Sequence, residues 1–278
     1  MNTAYETITE DDTSPARDGR IKLHGPEAFK GMRKAGRLAA EVLDMLVAEV
    51  QPGVTTEHLD NLTREFVFAR GSTPATLFYR GYKHSLCTSI NHVVCHGIPG
   101  PKPLKDGDIV NIDVTVVVDG WHGDTSRMYY VGEPKRKATR LVDITYEAMM
   151  AGINAIKPGV TLGTIGAIIQ EYAEERRCSI VRDFCGHGLG KLFHDSPNVL
   201  HFGTRGEGPE LKEGMFFTVE PMLNLGKPDA KVLNDGWTAV TRDKSLSAQF
   251  EHSCGVTADG VEIFTKSPTG LDQPPYSA

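Results

Sequence analysis

The tetrapeptide Pro-Gly-Val-Thr occurs twice in this 278-residue chain, at 52–55 and at 158–161. Each copy separates two stretches whose apolar residues recur at helical spacing. In the first pair Phe29, Met32, Leu38, Leu43 and Leu46 fall near one face of a helix predicted over 26–50. A second helix follows Thr55 and Thr56 and runs to Arg70, where Gly71 closes it. The second pair is predicted over 137–156 and 163–177. Pro-Gly is a generic helix stop, so the tetrapeptide alone constrains little. What comes after it constrains more. Each helix pair is followed by a His-Gly turn, Cys95-His96-Gly97 and then Gly186-His187-Gly188. Next comes a strand with an acidic residue six positions after a glycine, Gly107 to Asp113 and Gly214 to Glu220. The same series met twice in the same order predicts a duplicated α/β unit whose halves pack around a shared cleft. The expected architecture is α/β: a curved, mostly antiparallel sheet with two helix pairs covering one face.

The chain is long enough to bury a core without disulfides. A single domain is expected over 21–270, with an acidic, flexible tail over 1–20 and a short tail over 271–278. A formal net charge of -6 argues against nucleic acid as the main partner, because phosphate binding needs a basic excess. No apolar run approaches the roughly 20 residues that span a membrane. The five cysteines, Cys87, Cys95, Cys178, Cys185 and Cys254, include no C-x-x-C pair. They read as free thiols of a reducing compartment. The N-terminus lacks a basic region and an apolar region of secretory type, so the expected location is the cytoplasm.

The segment NIDVTVVVDGWHGDTSRMYYVG carries the chemistry. Ile112, Val114, Val116 and Val118 alternate with Asp113, Thr115 and Val117 at strand period, and Asp119-Gly120 is a two-residue hairpin signal. With those two residues as the turn, Thr115 faces Asp124 and Asp113 faces Ser126. Asp113 and Asp124 then share one face as diagonal neighbours, with Cβ atoms roughly 7–8 Å apart. Glu220 lies in the apolar MFFTVEPM, and Glu251 lies in AQFEHSCGV ahead of a strand with an Asp259-Gly260 hairpin turn. No Lys or Arg stands within four residues of Asp113, Glu220 or Glu251, although Arg127 follows Asp124. Charges 4 Å apart repel by roughly 4 kcal/mol at an effective dielectric of 20. A pair of divalent ions is the economical way to hold Asp113, Asp124, His187, Glu220 and Glu251 together. An oxygen-rich set with one imidazole and no thiolate suits Mn, Fe, Co or Zn in a two-metal site and leaves the metal open. Such sites activate water and clamp a developing oxyanion, so hydrolysis of an amide, ester or phosphate is implied.

Five stretches in this order, SINHVVCHGIP, NIDVTVVVDGWHGDTS, CGHGLGKLFHD, FFTVEPM and AQFEHS, resemble the type I methionine aminopeptidase family. The resemblance covers about residues 25–265. It implies the two-fold pseudo-symmetric pita-bread fold, which agrees with the duplication, and a single catalytic metallopeptidase domain. It also implies that Asp113, Asp124, His187, Glu220 and Glu251 are the metal ligands. The short Glu220–Glu251 interval leaves no room for the helical insertion of type II enzymes. The implied activity is removal of the initiator methionine from nascent chains whose second residue is small, by a monomer working near the ribosome. Glu220 would also shuttle the proton. His194 would donate a hydrogen bond to the scissile carbonyl, and His96 would sit by the scissile amide nitrogen. Tyr79, Tyr82, Cys87, Phe193 and Trp237 would wall the methionine pocket. His122 and His252 are kept as supporting residues. Two alternatives stay open: a proline-directed dipeptidase on the same fold, and an inactive peptide-binding module.

Overall fold

A computed structural model describes residues 3–9, 12–15 and 19–276. Four helices fall where the apolar spacing places them: α1 Pro26–Leu46, α2 Thr56–Phe68, α3 Arg136–Asn154 and α4 Leu162–Glu175. Helix α1 opens with a proline in its first turn and buries Met32, Leu38, Leu43 and Leu46. Phe29 is half-buried, its ring against Phe216 and Phe264.

The two halves repeat at the level of single hydrogen bonds. Thr55 caps α2 by accepting from the His58 amide, and Thr161 caps α4 by accepting from the Thr164 amide. The Gly53 amide donates to the Leu104 carbonyl, and the Leu104 amide donates back to the Val54 carbonyl. In the second half Gly159 donates to Leu211, which donates back to Val160. Just beyond, Gly107 and Gly214 both take φ 88°, a left-handed conformation that suits glycine. Each half has its own apolar core. One joins Leu43, Leu46 and Leu59 to Val110, Ile112 and Val114. The other joins Leu141, Ile153 and Ile165 to Phe217, Val219 and Phe250.

In the first half, strands Ile109–Val118 and Trp121–Tyr130 form a long antiparallel hairpin, with Val118 opposite Trp121. Asp119 and Gly120 form its turn with φ 51° and 82°, the left-handed pair that a type I′ turn requires. Strand Cys87–Ile90 lies on the other side of Ile109–Val118. Helix α1 crosses the hairpin so closely that a Cβ on Gly123 would stand 2.3 Å from the Ala35 carbonyl. That contact seats the strand immediately beside Asp124. The second half centres on strand Phe216–Val219, which pairs antiparallel with His252–Val256 and with Gly186–Gly188. A bridge between Ser126 and Glu251 ties the two sheets together. The described strand pairs are antiparallel apart from Tyr5–Thr7 with Ile21–Leu23, as the expected α/β fold requires.

Two local readings need correction. Gly186-His187-Gly188 is a strand held between two neighbours, not a turn. Its glycines allow close approach of those neighbours. The loop near Asp259 has four residues, since Val256 pairs with Val261. The Thr257 hydroxyl takes up the Gly260 amide there, so Asp259-Gly260 is only half the connection. The stretches read as tails also make contacts. Tyr5–Thr7 pairs with Ile21–Leu23, and the Tyr276 hydroxyl donates to the Met128 carbonyl at 2.7 Å. Within those two stretches, residues 1–2, 10–11, 16–18 and 277–278 lie outside the described residues. No helix among the described residues is long and apolar enough to cross a membrane.

Candidate metal centre and substrate cleft

A cleft of about 770 Å³ opens where the halves meet. Its lining includes Asp113, Asp124, His187, Glu220 and Glu251, and also His96, His194, Tyr79, Tyr82, Cys87, Phe193 and Trp237. The five expected ligands, the two histidines and the five wall residues are therefore brought to one hollow, whereas His122 and His252 are not.

Register explains how the acids arrive. Thr115 pairs with Asp124 and Asp113 with Ser126, so period two puts both aspartates on the cleft face. The Thr115 hydroxyl donates to Asp124 Oδ1 at 2.7 Å, which leaves Oδ2 3.5 Å from His187 Nε2. Glu220 leaves strand Phe216–Val219 just before Pro221. The Thr218 hydroxyl donates to Glu220 Oε1 at 2.8 Å and accepts from the His187 amide at 3.0 Å. Gln249 Nε2 reaches Glu220 Oε2 at 3.3 Å. Glu251 is placed by its backbone: it exchanges amide bonds with Ser126, and its carbonyl accepts from the Thr125 hydroxyl at 2.7 Å. One ligand atom each from Asp124, His187 and Glu251 fits within a 4.8 Å group.

The electrostatics of this arrangement call for a cation. Burial and the neighbouring carboxylates Asp124 and Glu220 push Asp113 well above the usual carboxylate range, and Glu251 likewise. Glu220 is pushed up to about 7, chiefly by burial. Burial alone would lower His187, but its contact with Asp124 and the charge of Glu220 lift it to about 9. Among the described residues, the only basic side chain within ion-pairing distance of these carboxylates is His187. The His187 Nδ1–H donates to the Gly188 carbonyl at 3.1 Å, which frees Nε2 to face the acids. Four carboxylates, Asp124 and Glu251 buried and Asp113 and Glu220 half-buried, with one imidazole nitrogen directed at them, fit divalent metal.

The walls are aromatic. Cys87 pairs in register with Asp113, so the apolar pocket begins beside the acids. Tyr82 stands edge-on to Trp237 with centroids 5.0 Å apart, and its hydroxyl donates to the Leu86 carbonyl at 3.0 Å. His96 takes a left-handed backbone, φ 55°, and stands edge-on to Phe184 with centroids 5.6 Å apart. Burial lowers its pKa. His194 leaves one edge open at the cleft and is hemmed by Phe193, His187 and Tyr79. Loss of hydration there, with His187 next in weight, pushes it down to about 4, so it is neutral at pH 7. His122 accepts no cleft role: its Nδ1 bonds the Gly190 carbonyl at 3.0 Å. His252 is buried against the Thr265 hydroxyl at 2.9 Å.

The supporting roles of several residues escaped the sequence reading, although Thr115 was placed opposite Asp124. Thr115 and Thr218 each lie two positions from an acid on the same strand face, a signal that period two does carry. Gln249 has the same spacing to Glu251 but bonds Glu220 instead, and His201 left no such signal. The buried His201 Nε2 accepts the Glu220 amide at 3.0 Å, where the chain turns out of its strand before Pro221.

Residues 30–258 match the model of metallopeptidase family M24, and the chain belongs to that family, whose members work with divalent metal. Within it the chain falls among the methionine aminopeptidases. It is 59% identical over 257 residues to the methionine aminopeptidase of Rickettsia prowazekii, covering 92% of this chain and 99% of that one. It is 51% identical to that of Escherichia coli, covering 88% and 94%. The crystal structure of the Rickettsia enzyme superposes with a TM-score of 0.88 over 88% of this chain and 99% of that one. A prolidase from Pyrococcus furiosus, 21% identical with a TM-score of 0.70, shares the fold. This chain spans 88% of its own length in that match but only 65% of the prolidase.

Proposed function

We propose that this chain is a methionine aminopeptidase that removes N-terminal methionine from peptides and new proteins whose second residue is small. The observation that carries the reading is the meeting of Asp113, Asp124, His187, Glu220 and Glu251 beside an aromatic pocket in one cleft. Those five residues would hold a pair of divalent ions, which supply Lewis acidity and an acidified water.

The protein's own groups then divide the work. Tyr79, Tyr82, Cys87, Phe193 and Trp237 surround the methionine side chain with apolar, polarisable surface. His194 donates a hydrogen bond to the scissile carbonyl as negative charge grows on its oxygen. His96 stands by the scissile amide nitrogen. Glu220 takes the proton of the attacking water and passes it to the leaving amine. The Thr218 hydroxyl and Gln249 amide hold that carboxylate in place for both transfers. We read the protein as a cytoplasmic monomer acting on chains near the ribosome. Its five free cysteines suit that compartment.

Turnover of Met-Ala-Ser against Ala-Pro peptides tests the assignment, and preference for the proline substrate overturns it. Reconstitution of chelator-stripped enzyme with Co, Mn, Fe and Zn in turn tests the metal requirement. Full activity without added metal would contradict it.

A further inference from the structure

Tyr79 is part of the apolar wall, yet its hydroxyl makes a contact that an apolar wall does not need. It lies 3.0 Å from Nδ1 of His194. The two rings run alongside each other, with centroids 5.3 Å apart and planes 26° apart. The backbone around Tyr79 is unusual as well. Phe78 and Arg80, the residues on either side, both take left-handed conformations, φ 68° and 47°, without being glycine. Such strain persists only where the surroundings enforce it, and it gathers at functional sites. Here the enforcement is visible. The Tyr79 amide donates to the Thr76 carbonyl at 3.0 Å, and the Tyr82 amide donates to the Tyr79 carbonyl at 2.9 Å. The Phe78 amide closes the turn on the Tyr82 carbonyl at 2.7 Å. Phe193 packs on the Tyr79 ring with centroids 4.9 Å apart. The whole turn aims one phenol at one imidazole nitrogen.

We propose that Tyr79 is a positioning residue that sets the tautomer of His194. The phenolic O–H donates to Nδ1, so the ring carries its N–H on Nε2. A neutral imidazole carries one N–H, and a nitrogen that accepts a hydrogen bond is the one without it. A phenol is the better donor of the two partners, because its oxygen lone pair is drawn into the ring. With Nδ1 occupied, Nε2–H is the donor left for a carbonyl oxygen in the cleft. The inference rests on His194 being that donor, and it adds what makes His194 able to donate.

Tyr79→Phe keeps the ring in the wall and deletes only the hydroxyl. In ¹⁵N-histidine-labelled, zinc-loaded wild-type enzyme, long-range ¹H–¹⁵N spectra should show His194 protonated on Nε2 and bare on Nδ1. Tyr79→Phe should turn this into a mixture of tautomers. On Met-Ala-Ser its kcat should fall about ten-fold while KM stays within about two-fold, because the lost order matters in the transition state. That fall is smaller than the roughly 10²–10³-fold of losing a donor outright. In a His194→Ala background the same substitution should change kcat by less than about two-fold, since its effect passes through the imidazole. A wild-type spectrum with the proton on Nδ1 overturns the proposal, and so does an unchanged tautomer in Tyr79→Phe. If His194→Ala alone retains full kcat, the donor role of His194 fails instead, and the spectra still decide the tautomer.

Discussion

Asp113 runs on from its left-handed glycine, Gly107, into a two-residue turn, and the returning strand brings Asp124 beside it. Glu220 stands at the equivalent place after Gly214, but Pro221 ends its strand, and Glu251 arrives only after a long excursion. The histidines diverge in the same way. His187 stands among carboxylates and is lifted to about 9 despite its burial. His96, which follows the first helix pair as His187 follows the second, is walled by Phe184 and Trp237 and is lowered by burial. Duplication has preserved the backbone frame down to individual amide bonds. The chemistry comes from what each half places around that frame. Charge around His187 suits a cation, and aromatic surface around His96 suits an apolar group.

The largest expected effect comes from emptying the cation site. Asp124→Ala should reduce peptidase activity to background. The chelator-treated variant should melt no lower than chelator-treated wild type, because one of several mutually repelling buried acids is gone. Calorimetry on both proteins checks this, and retained activity contradicts the metal scheme. The histidine contrast comes next. His187→Gln should lose bound metal as measured by elemental analysis. His96→Gln should keep its metal and lose about 10²-fold in kcat. Equal metal loss in both would break the division between the halves. Metal removal from wild type should then lower stability by about 2.7 kcal/mol for each site that free metal had held at 100 times its Kd. Thermal unfolding with and without chelator measures it.

Smaller effects sharpen the symmetry of the frame. Gly107→Ala pays only the left-handed penalty of about 1–2 kcal/mol, since the new Cβ meets nothing nearer than the Glu133 carbonyl at 3.6 Å. Gly214→Ala should cost about 1–3 kcal/mol more, because its Cβ would stand 2.6 Å from the His24 carbonyl. Urea midpoints at unchanged slope measure the difference. Thr55→Ala and Thr161→Ala should each cost about 1 kcal/mol, the ordinary value of a lost helix cap. A large inequality between them would mean that the caps are not equivalent.

Much of this was legible in the residues themselves. Period-two alternation and Asp119-Gly120 specified the hairpin register, and with it the shared face of Asp113 and Asp124. Helix spacing and Pro-Gly stops located four helices to within a few residues. The metal-ligand set and the two cleft histidines came from the long motif matches, and the structure gathers them in one hollow. His187 was misplaced in a turn because flanking glycines signal both turns and tight strand packing. Gln249 and His201 went unnoticed because they touch Glu220 across the sheet, where no local pattern points.

The order of the chain alone determined the elements, the duplication and the kinds of side chain available, because those follow from backbone preference and the period of apolar residues. Tertiary structure decided which of them meet. The Ser126–Glu251 bridge, the tilt of α1 against Gly123 and the turn that aims Tyr79 at His194 join residues far apart in sequence. Only such packing excludes water from the acids, and it is that exclusion which turns scattered carboxylates into a site that demands a metal ion.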